Sequence, residues 1–369
     1  MHIFQILPQL REGGAERFVI DLSNSLVIDH NCQLTLIIFN NFDKDHAYFK
    51  DLNSKIKVIT LNKKPGLDLS ILWKVFNLIK KLKPDVVHTH LNAFEYMLAN
   101  SFLFMNKISI VNTIHASPKE MYQKKAIKYI DKLLYSFSKV KPVVISSESN
   151  IEFSHLFPKI QPFVIFNGRP KINVSQNFNA VFKEIESYKN TPKTKVFINL
   201  ARINPVKNQL MLVDAFNTLI TVGNDIILII VGTPQDNEIA NKIKNRISEG
   251  IFLLGYKDNP TDYLACSNAF CLSSLNEGMP ISLIEAIQQG IIPICTPAGG
   301  VKDIISPSIG FISEDFSTNS FVESIKSFLA LDESEIKLMK INGKKIYNEK
   351  FMMKTTAFNY LQLYGNYNR

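Results

Sequence analysis

Two glutamates, Glu277 and Glu285, stand eight positions apart in N-E-G-M-P-I-S-L-I-E-A-I-Q-Q-G, residues 276–290. Pro280 lies between them and suits the first turn of a helix, so Glu277 precedes that helix and Glu285 lies inside it. A carboxylate beside a helix N-terminus is also favoured by the helix dipole. Spacing alone leaves two interpretations: both acids bind one polar ligand, or a loop acid precedes a solvated helix face.

Two cations follow an apolar strand in N-L-A-R-I-N-P-V-K-N-Q, residues 199–209. The strand is predicted to end at Leu200 and a helix to begin near Lys207, which places Arg202 and Lys207 on a strand-to-helix loop. In parallel sheets such loops lie where ligands bind. A diphosphate would neutralise two cations held together there. Taken singly, each cation is more typical of an exposed surface residue, because most Lys and Arg side chains are exposed.

A glycine pair, Gly13-Gly14, follows the first predicted strand and precedes a helix. Two glycines there let backbone N–H groups approach a phosphate or a sugar; a mobile turn is the alternative interpretation. The pair lacks the G-x-G-x-x-G dinucleotide fingerprint, so a Rossmann oxidoreductase is not supported.

Three histidines, His88, His90 and His115, fall at predicted strand ends. A histidine there is more often a hydrogen-bonded structural residue than a catalyst. His88 and His90 form an H-x-H pair, but no acidic third ligand accompanies it. The D-x-D at residues 43–45 is interpreted as a solvated loop. We therefore expect no metal site.

Apolar, often β-branched runs alternate with amphipathic segments, which predicts parallel sheets covered by helices on both faces. The pattern restarts after a polar stretch at residues 173–194. We therefore expect an α/β protein of two doubly wound, Rossmann-like domains, residues 1–170 and 171–350, with a deep cleft between them. A length of 369 residues fits two hydrophobic cores.

The composition is that of an ordinary globular protein, with 46% hydrophobic and 20% charged residues. No signal peptide or membrane-spanning apolar run is found, and the four cysteines show no zinc or C-x-x-C spacing, so we expect a cytoplasmic protein. The formal net charge is +9, and residues 1–170 carry 22 Lys and Arg against 14 Asp and Glu. This excess indicates an anionic partner such as a membrane surface. No nucleic-acid-binding motif accompanies it.

One predicted helix, residues 120–137, could lie on that membrane. Its expected apolar stripe contains Ile127, Ile130, Leu134 and Phe137, and four lysines flank it: Lys124, Lys125, Lys128 and Lys132. The pattern describes an interfacial helix on anionic lipid. It describes equally a helix packed on a sheet with its lysines in water.

These segments, in order along almost the whole chain, resemble glycosyltransferase family 4, a group of retaining sugar transferases with the two-domain GT-B fold. The resembling segments are GGAER (13–17), TIH (113–115), FNG (166–168), LARINPVKNQLMLVDAF (200–216), LIIVG (228–232), FLLG (252–255) and SSLNEGMPISLIEAIQQGIIPICTPAGGVKDII (273–305). The last is the most specific, because E-x7-E with an internal G-x-P and a downstream G-G is rare elsewhere. Departures are modest: NLARI replaces V-G-R-L, and TIHAS lacks the acid or glycine that often follows its histidine.

The resemblance implies a role for each matching residue. Glu277 would hold hydroxyls of the donor sugar and Glu285 the ribose hydroxyls, while Arg202 and Lys207 would neutralise the diphosphate. His115 would contact the sugar near the reacting carbon. The remaining donor-binding residues are expected to be Gly13, Gly14, Gly278, Met279, Pro280 and Ile281. The first domain would bind the acceptor, the second would bind the donor, and a helix at about 351–369 would pack back on the first.

The function so implied is retaining, metal-independent and cofactor-independent transfer of a hexosyl or N-acetylhexosaminyl group. The donor would be a nucleotide sugar, with a UDP-sugar favoured, and the acceptor a glycan or a polyprenyl-linked glycan of the bacterial cell surface. The protein would be cytoplasmic, with a peripheral position on the inner face of the cell membrane as a further expectation. A nucleotide-sugar epimerase and a non-catalytic sugar-nucleotide-binding protein are the alternatives.

Overall fold

The computed structural model describes residues 1–10, 13–41 and 47–365. The chain divides into two compact units: unit 1 comprises Met1–Pro170 with Phe351–Arg369, and unit 2 comprises Lys171–Lys350. Each unit contains one parallel sheet with helices packed on it. The predicted fold class, an α/β protein of two Rossmann-like domains, is confirmed.

Unit 1 is built on a seven-stranded parallel sheet with the order β3-β2-β1-β4-β5-β6-β7. The strands are β1 His2–Leu7, β2 Gln33–Ile38, β3 Lys57–Thr60, β4 Val86–His90, β5 Ser109–Ile114, β6 Lys141–Val144 and β7 Phe163–Val164. The helices between them are α1 Gly14–Ile28, α2 Ala47–Lys50, α3 Ser70–Leu82, α4 Leu98–Phe104, α5 Pro118–Met121, α6 Lys125–Phe137 and α7 Ser147–Leu156. Because both faces of the sheet are covered, every residue of its central strands except His2 at the start of β1 is buried.

Unit 2 is built on a six-stranded parallel sheet with the order β10-β9-β8-β11-β12-β13. The strands are β8 Lys195–Leu200, β9 Ile226–Val231, β10 Ile251–Gly255, β11 Ala269–Leu272, β12 Ile292–Cys295 and β13 Phe311–Ile312. The helices are α8 Phe178–Tyr188, α9 Gln209–Thr221, α10 Asn237–Lys244, α11 Pro260–Ala265, α12 Ile281–Gln289, α13 Val301–Ile304, α14 Thr318–Leu329 and α15 Glu333–Ile346. All six residues of β9, I-I-L-I-I-V, are buried, as a strand covered on both faces requires.

The last helix, α16 Met353–Gly365, belongs to unit 1. It packs along α1 and buries one apolar face in the core of that unit. The residues of that face are Met353, Ala357, Tyr360, Leu363 and Tyr364. Two backbone hydrogen bonds connect the start of this helix to Arg169. Arg169 N–H donates to the Phe351 carbonyl, and Met353 N–H donates to the Arg169 carbonyl.

Two helical segments of unit 1 are irregular, and one of them was predicted as a single helix. The segment expected to be one helix at 120–137 forms α5 and α6, because Lys124 between them is extended and breaks the hydrogen-bond ladder. A second segment of unit 1 begins as a 3-10 helix, Leu91–Met97, and continues as α4. Both irregular segments belong to connections that follow strands of unit 1, after β4 and after β5.

Candidate active site

Lys207 and Glu277 form an ion pair at the edge of the unit 2 sheet. β8 and β11 are neighbouring parallel strands, so the loops that follow them leave the sheet at the same edge. Lys207 Nζ lies 2.6 Å from Glu277 Oε1, and Ser274 Oγ donates to the same oxygen at 2.6 Å. The side chain of Glu277 is only 9% exposed and that of Lys207 is 19% exposed. The structure therefore brings together two of the predicted site residues.

Hydrogen bonds fix the Lys207 loop against the Glu277 loop. Ser273 Oγ donates to the Lys207 carbonyl at 2.8 Å, and Leu275 N–H donates to the Val206 carbonyl at 2.8 Å. Asn204 Oδ1 accepts from Lys207 N–H at 3.1 Å and caps the 3-10 turn Pro205–Lys207. The expected helix start near Lys207 is this short turn, and α9 begins after it. The pair is thus held by backbone contacts as well as by charge.

The glycine pair downstream of Glu277 is needed for a close backbone approach. Gly299 adopts φ +49°, and a Cβ placed there would lie 1.8 Å from the carbonyl oxygen of Glu277. Gly300 N–H donates to that same carbonyl at 3.3 Å. Because any side chain at 299 would displace the Glu277 backbone, Gly299 is required for the position of the Glu277 carboxylate.

The remaining predicted donor-binding residues of unit 2 surround this pair in sequence and differ in exposure. Arg202 is exposed, and its carbonyl accepts from Gln209 Nε2 at 3.0 Å. Glu285 is partly exposed on α12, whose opposite residues are buried in the core. Met279 and Pro280 are buried, whereas Gly278 and Ile281 are partly exposed. Pro280 is the N-cap of α12 and supplies no side-chain cap, so anionic groups are favoured at this helix start.

In unit 1, the predicted glycine turn forms the start of α1. Gly13 is the extended N-cap residue and Gly14 is the first residue of the helix. The carboxylate of Glu16 lies directly over Gly13, where an added Cβ would be 2.3 Å from Glu16 Oε2. A residue with a side chain at 13 would push that carboxylate away. Because Glu16 Oε2 is the far end of a flexible side chain, the carboxylate can move, and this contact alone does not require glycine at position 13.

The three histidines form a buried network rather than an exposed cluster. His88 and His90 lie within β4 and are fully buried, whereas His115, immediately after β5, is partly exposed. His90 Nδ1 and His115 Nε2 are 2.9 Å apart, and His90 Nε2 lies 2.5 Å from Gln5 Oε1. The ring nitrogens of His88 lie 2.7 Å from the hydroxyls of Tyr364 and Thr113.

Burial keeps these histidines neutral. Desolvation holds the pKa of His88 and of His90 well below the ordinary value and lowers the pKa of His115 to about 3. A histidine in this state accepts a hydrogen bond but is a poor proton donor near pH 7. The sequence interpretation missed Gln5, although an amide inside the apolar strand H-I-F-Q-I-L is the kind of signal that marks a buried polar contact.

The helix considered for membrane contact, α6, has two apolar faces. The inner face packs on the core through Ile127, Ile130 and Leu134, as predicted. Phe137, predicted to lie on the same apolar stripe, does not pack on the core: its side chain is 67% exposed, and those of Tyr129 and Leu133 are exposed to differing degrees on the outer face. Exposed apolar residues also occur on α3 and α4, and α4 contacts both α3 and α6. We call the following set the apolar surface of unit 1: Trp73, Leu103, Tyr129, Leu133 and Phe137.

No helix in the described parts of the chain is both long enough and apolar enough to cross a bilayer. The D-x-D at residues 43–45 lies outside the described residues. Among the residues that are described, no group of three or more His, Cys, Asp or Glu side chains is arranged to hold a metal ion.

Comparison with known families covers most of the chain. Residues 12–168 match the family described as Glycosyltransferase Family 4, and residues 181–345 match Glycosyl transferases group 1. The two matches correspond to the main parts of unit 1 and unit 2.

Individual proteins are similar over most of their lengths. The "Capsular polysaccharide biosynthesis glycosyltransferase CapH" of Staphylococcus aureus is 30% identical, with 80% of each chain covered. The "N-acetylgalactosamine-N,N'-diacetylbacillosaminyl-diphospho-undecaprenol 4-alpha-N-acetylgalactosaminyltransferase" of Campylobacter jejuni is 25% identical, over 96% of this chain and 94% of that protein. Among solved structures, Anabaena Alr3699/HepE in complex with UDP-glucose superposes with a TM-score of 0.80 at 17% identity, over 99% of this chain and 100% of the other.

Proposed function

The chain belongs to glycosyltransferase family 4, and from this premise we propose that it transfers a sugar from a nucleoside-diphosphate sugar to a glycan or lipid-linked acceptor with retention of configuration. The observation that carries the proposal is the Lys207–Glu277 pair at the sheet edge of unit 2, beside the start of α12. A carboxylate and a cation so placed can bind the two ends of one ligand, its hydroxyls and its diphosphate.

Unit 2 is proposed to bind the donor. Arg202 and Lys207 neutralise the diphosphate, Glu277 accepts hydrogen bonds from the sugar hydroxyls, and Glu285 accepts them from the ribose. Residues 278–281 connect the two acids, and their backbone approaches the ligand at the start of α12. Unit 1 is proposed to bind the acceptor, with Gly13, Gly14 and His115 also contacting the donor.

The chemistry follows from charge. Bond cleavage leaves negative charge on the departing nucleoside diphosphate, and fixed cations and helix N–H groups stabilise that charge as it develops. Lys207 is already oriented by Glu277 at 2.6 Å, so little reorganisation is needed when the diphosphate binds. We propose that Arg202 and Lys207 supply the stabilising positive charge without a metal ion.

The donor and acceptor classes are proposed from the relatives. The Anabaena protein was solved with UDP-glucose, and the name of the Campylobacter enzyme specifies transfer of N-acetylgalactosamine onto a diphospho-undecaprenol-linked sugar. The name of the Staphylococcus relative places it in capsular polysaccharide biosynthesis. A UDP-hexose or UDP-N-acetylhexosamine donor and a polyprenyl-diphosphate-linked acceptor in bacterial surface polysaccharide synthesis fit all three.

A lipid-linked acceptor requires approach to a membrane, and the apolar surface of unit 1 suits that approach. Tyr129, Leu133 and Phe137 follow one another at helical spacing on the outside of α6, with exposed Lys125 and Lys132 on the same helix. Exposed apolar and basic side chains together favour binding to an anionic interface. We propose peripheral attachment to the inner face of the cell membrane through this surface.

The test of the activity is a donor screen. The purified protein is incubated with UDP-glucose, UDP-galactose, UDP-N-acetylglucosamine and UDP-N-acetylgalactosamine, each with soluble glycans or polyprenyl-diphosphate-linked sugars. Release of UDP together with a glycosylated product that retains the anomeric configuration supports the proposal. Epimerised nucleotide sugar without any product would identify an epimerase, and tight binding of UDP-sugars without turnover on any acceptor would identify a binding protein.

The test of membrane attachment is sedimentation with vesicles. The wild-type protein should bind phosphatidylglycerol vesicles and should dissociate as salt is raised, because salt screens exposed charges. Tyr129→Ser combined with Leu133→Ser should weaken binding. Leu338→Ser, at a position in unit 2 that is also exposed, is the matched control and should leave it unchanged. Equal binding by all three proteins would argue against this surface.

A further inference from the structure

Three adjacent strands of unit 1 align a chain of polar side chains that ends at His115. β1, β4 and β5 are neighbours in the sheet, and the register places Gln5 beside His88 and His90 beside Thr113. Gln5 Oε1 lies 2.5 Å from His90 Nε2, and His90 Nδ1 lies 2.9 Å from His115 Nε2. Gln5 and His90 are completely buried, so this arrangement is shielded from bulk water.

The chemistry of the amide determines where the protons lie. The oxygen of Gln5 faces His90, and the nitrogen of Gln5 donates to the Tyr364 hydroxyl at 3.5 Å. Because an amide oxygen only accepts, His90 must carry its proton on Nε2. A neutral imidazole has one N–H, so His90 Nδ1 is an acceptor and His115 Nε2 must donate to it. His115 Nδ1 is therefore left as a bare lone pair.

Nothing else in the network satisfies that lone pair. Both nitrogens of His88 are occupied by Tyr364 and Thr113, and both nitrogens of His90 are occupied by Gln5 and His115. Among the described residues, His115 Nδ1 has no hydrogen-bond partner although it is shielded from solvent. Phe18 packs edge-on against the His115 ring at 5.4 Å and limits its rotation. An oriented acceptor without a partner at the partly exposed end of a closed network indicates that a ligand supplies the missing donor.

We infer that Gln5 is a positioning residue that, through His90, holds His115 in the Nε2–H tautomer and thereby makes Nδ1 a hydrogen-bond acceptor for a hydroxyl or amide N–H of the sugar substrate. The inference rests on the proposed function for the identity of the ligand as a sugar. It adds the direction of the hydrogen bond. His115 Nδ1 accepts from a substrate group that donates, and His115 does not act as a proton donor.

Nitrogen NMR tests the tautomer independently of activity. In protein labelled with ¹⁵N-histidine and studied without nucleotide at pH 7, His115 should show a protonated Nε2 and an unprotonated Nδ1. Gln5→Met keeps the volume but removes the acceptor, so it should give a mixture of the two His115 tautomers. Gln5→Glu retains an acceptor oxygen and should restore the wild-type pattern. A wild-type His115 protonated on Nδ1 would overturn the inference, and so would a tautomer pattern that is unchanged in Gln5→Met. If a variant fails to fold, the wild-type spectrum alone still decides which nitrogen of His115 is protonated.

Kinetics provide the second measurement, using whichever UDP-sugar the donor screen identifies. Gln5→Met should lower kcat/KM about tenfold, the effect of losing one oriented hydrogen bond, while affinity for UDP alone stays unchanged. Gln5→Glu should recover most of the loss. A uniform loss of UDP affinity and turnover in both variants would show a merely structural role. If no donor is turned over, the proposed function fails while the NMR result still decides the tautomer.

Discussion

The ammonium of Lys207 lies 2.6 Å from Oε1 of Glu277, so two side chains expected to contact different parts of a donor are partners of each other in this structure. The carboxylate also accepts from Ser274, and it is almost removed from solvent. A charge in such surroundings depends on its counter-ion, because the lost hydration is not otherwise replaced. Lys207 therefore has a structural role in addition to its proposed role toward the diphosphate.

Replacing Lys207 alone should harm both stability and activity. Lys207→Ala leaves Glu277 without its counter-ion, which should lower the free energy of unfolding by about 1–3 kcal/mol, less than for a fully buried pair. It should also lower kcat/KM by about a hundredfold or more through loss of charge stabilisation at the leaving group. Urea unfolding and steady-state rates of UDP release measure the two effects.

Removing both charges should separate these effects. In the double variant Lys207→Met with Glu277→Gln, no unpaired charge remains, so stability should return close to the wild-type value while activity stays lost. The comparison is a double-mutant cycle whose single variants are Lys207→Met and Glu277→Gln. Stability losses that simply add in the double variant would show that the two side chains are not coupled.

Gly299 should tolerate no side chain. Gly299→Ala places a methyl group against the Glu277 carbonyl and strains a left-handed backbone, so it should lower the free energy of unfolding by at least about 2–3 kcal/mol and displace the Glu277 carboxylate. Gly223→Ala is the matched control in the same unit, since Gly223 has φ +90° and open space around it. Gly223→Ala should lower the free energy of unfolding by only about 1–2 kcal/mol, the cost of a left-handed backbone without a steric clash, and should retain activity. Thermal unfolding and turnover check both variants, and equal losses would refute the steric explanation.

Much of the fold could be predicted because buried parallel strands appear in the sequence as continuous apolar runs. The spatial pairing of Lys207 with Glu277 could not be derived from spacing. Seventy positions separate them, and the pairing requires β8 to lie between β9 and β11, an order that the local pattern of any one strand does not determine. Their common placement was expected from the family resemblance, whereas the direct 2.6 Å contact was not expected.

The surface of α6 shows a second limit. Hydrophobic periodicity correctly identified Leu134, which is buried, and Ile130, which is partly buried and packs against the same core. Phe137 was grouped with them because its helical position lies close to theirs, but it is the last residue of α6 and its side chain is exposed. Periodicity gives the direction of a side chain around a helix axis and does not show how far the neighbouring core extends.

Asp131 should make unit 1 less stable as the pH rises. This side chain is fully buried, and desolvation together with the nearby Glu95 raises its pKa to about 8, whereas the ordinary value is 3.8. Between about pH 4 and pH 8, Asp131 is therefore protonated in the folded state and ionised in the unfolded state. Because unfolding releases a proton in this range, the free energy of unfolding is highest at low pH and falls as the pH rises. Asp131→Asn removes the ionisation and retains an oxygen that can accept from Tyr122. The variant should gain about 1.4 kcal/mol over wild type per pH unit between pH 5 and pH 7.5, measured by urea unfolding at each pH. Parallel pH profiles for the two proteins would contradict the raised pKa.

The hydroxyl of Tyr364 should contribute more to the stability of unit 1 than its size suggests. It lies 2.7 Å from His88 Nδ1, and both groups are buried. Tyr364→Phe keeps the ring in the core but leaves a shielded imidazole nitrogen without a partner, which should cost about 1–3 kcal/mol.

Tyr129→Phe is the matched control for this substitution, because the Tyr129 side chain is 78% exposed and water replaces its lost hydrogen bond. Hydrogen exchange followed by mass spectrometry can locate the effect: Tyr364→Phe should speed exchange in β4 and α16, which carry the two partners, and should leave the peptides of unit 2 unchanged. Equal stability of the two Tyr→Phe variants would mean that α16 is held only by its apolar face, and that the hydrogen bond between Tyr364 and His88 adds nothing to the folding of unit 1.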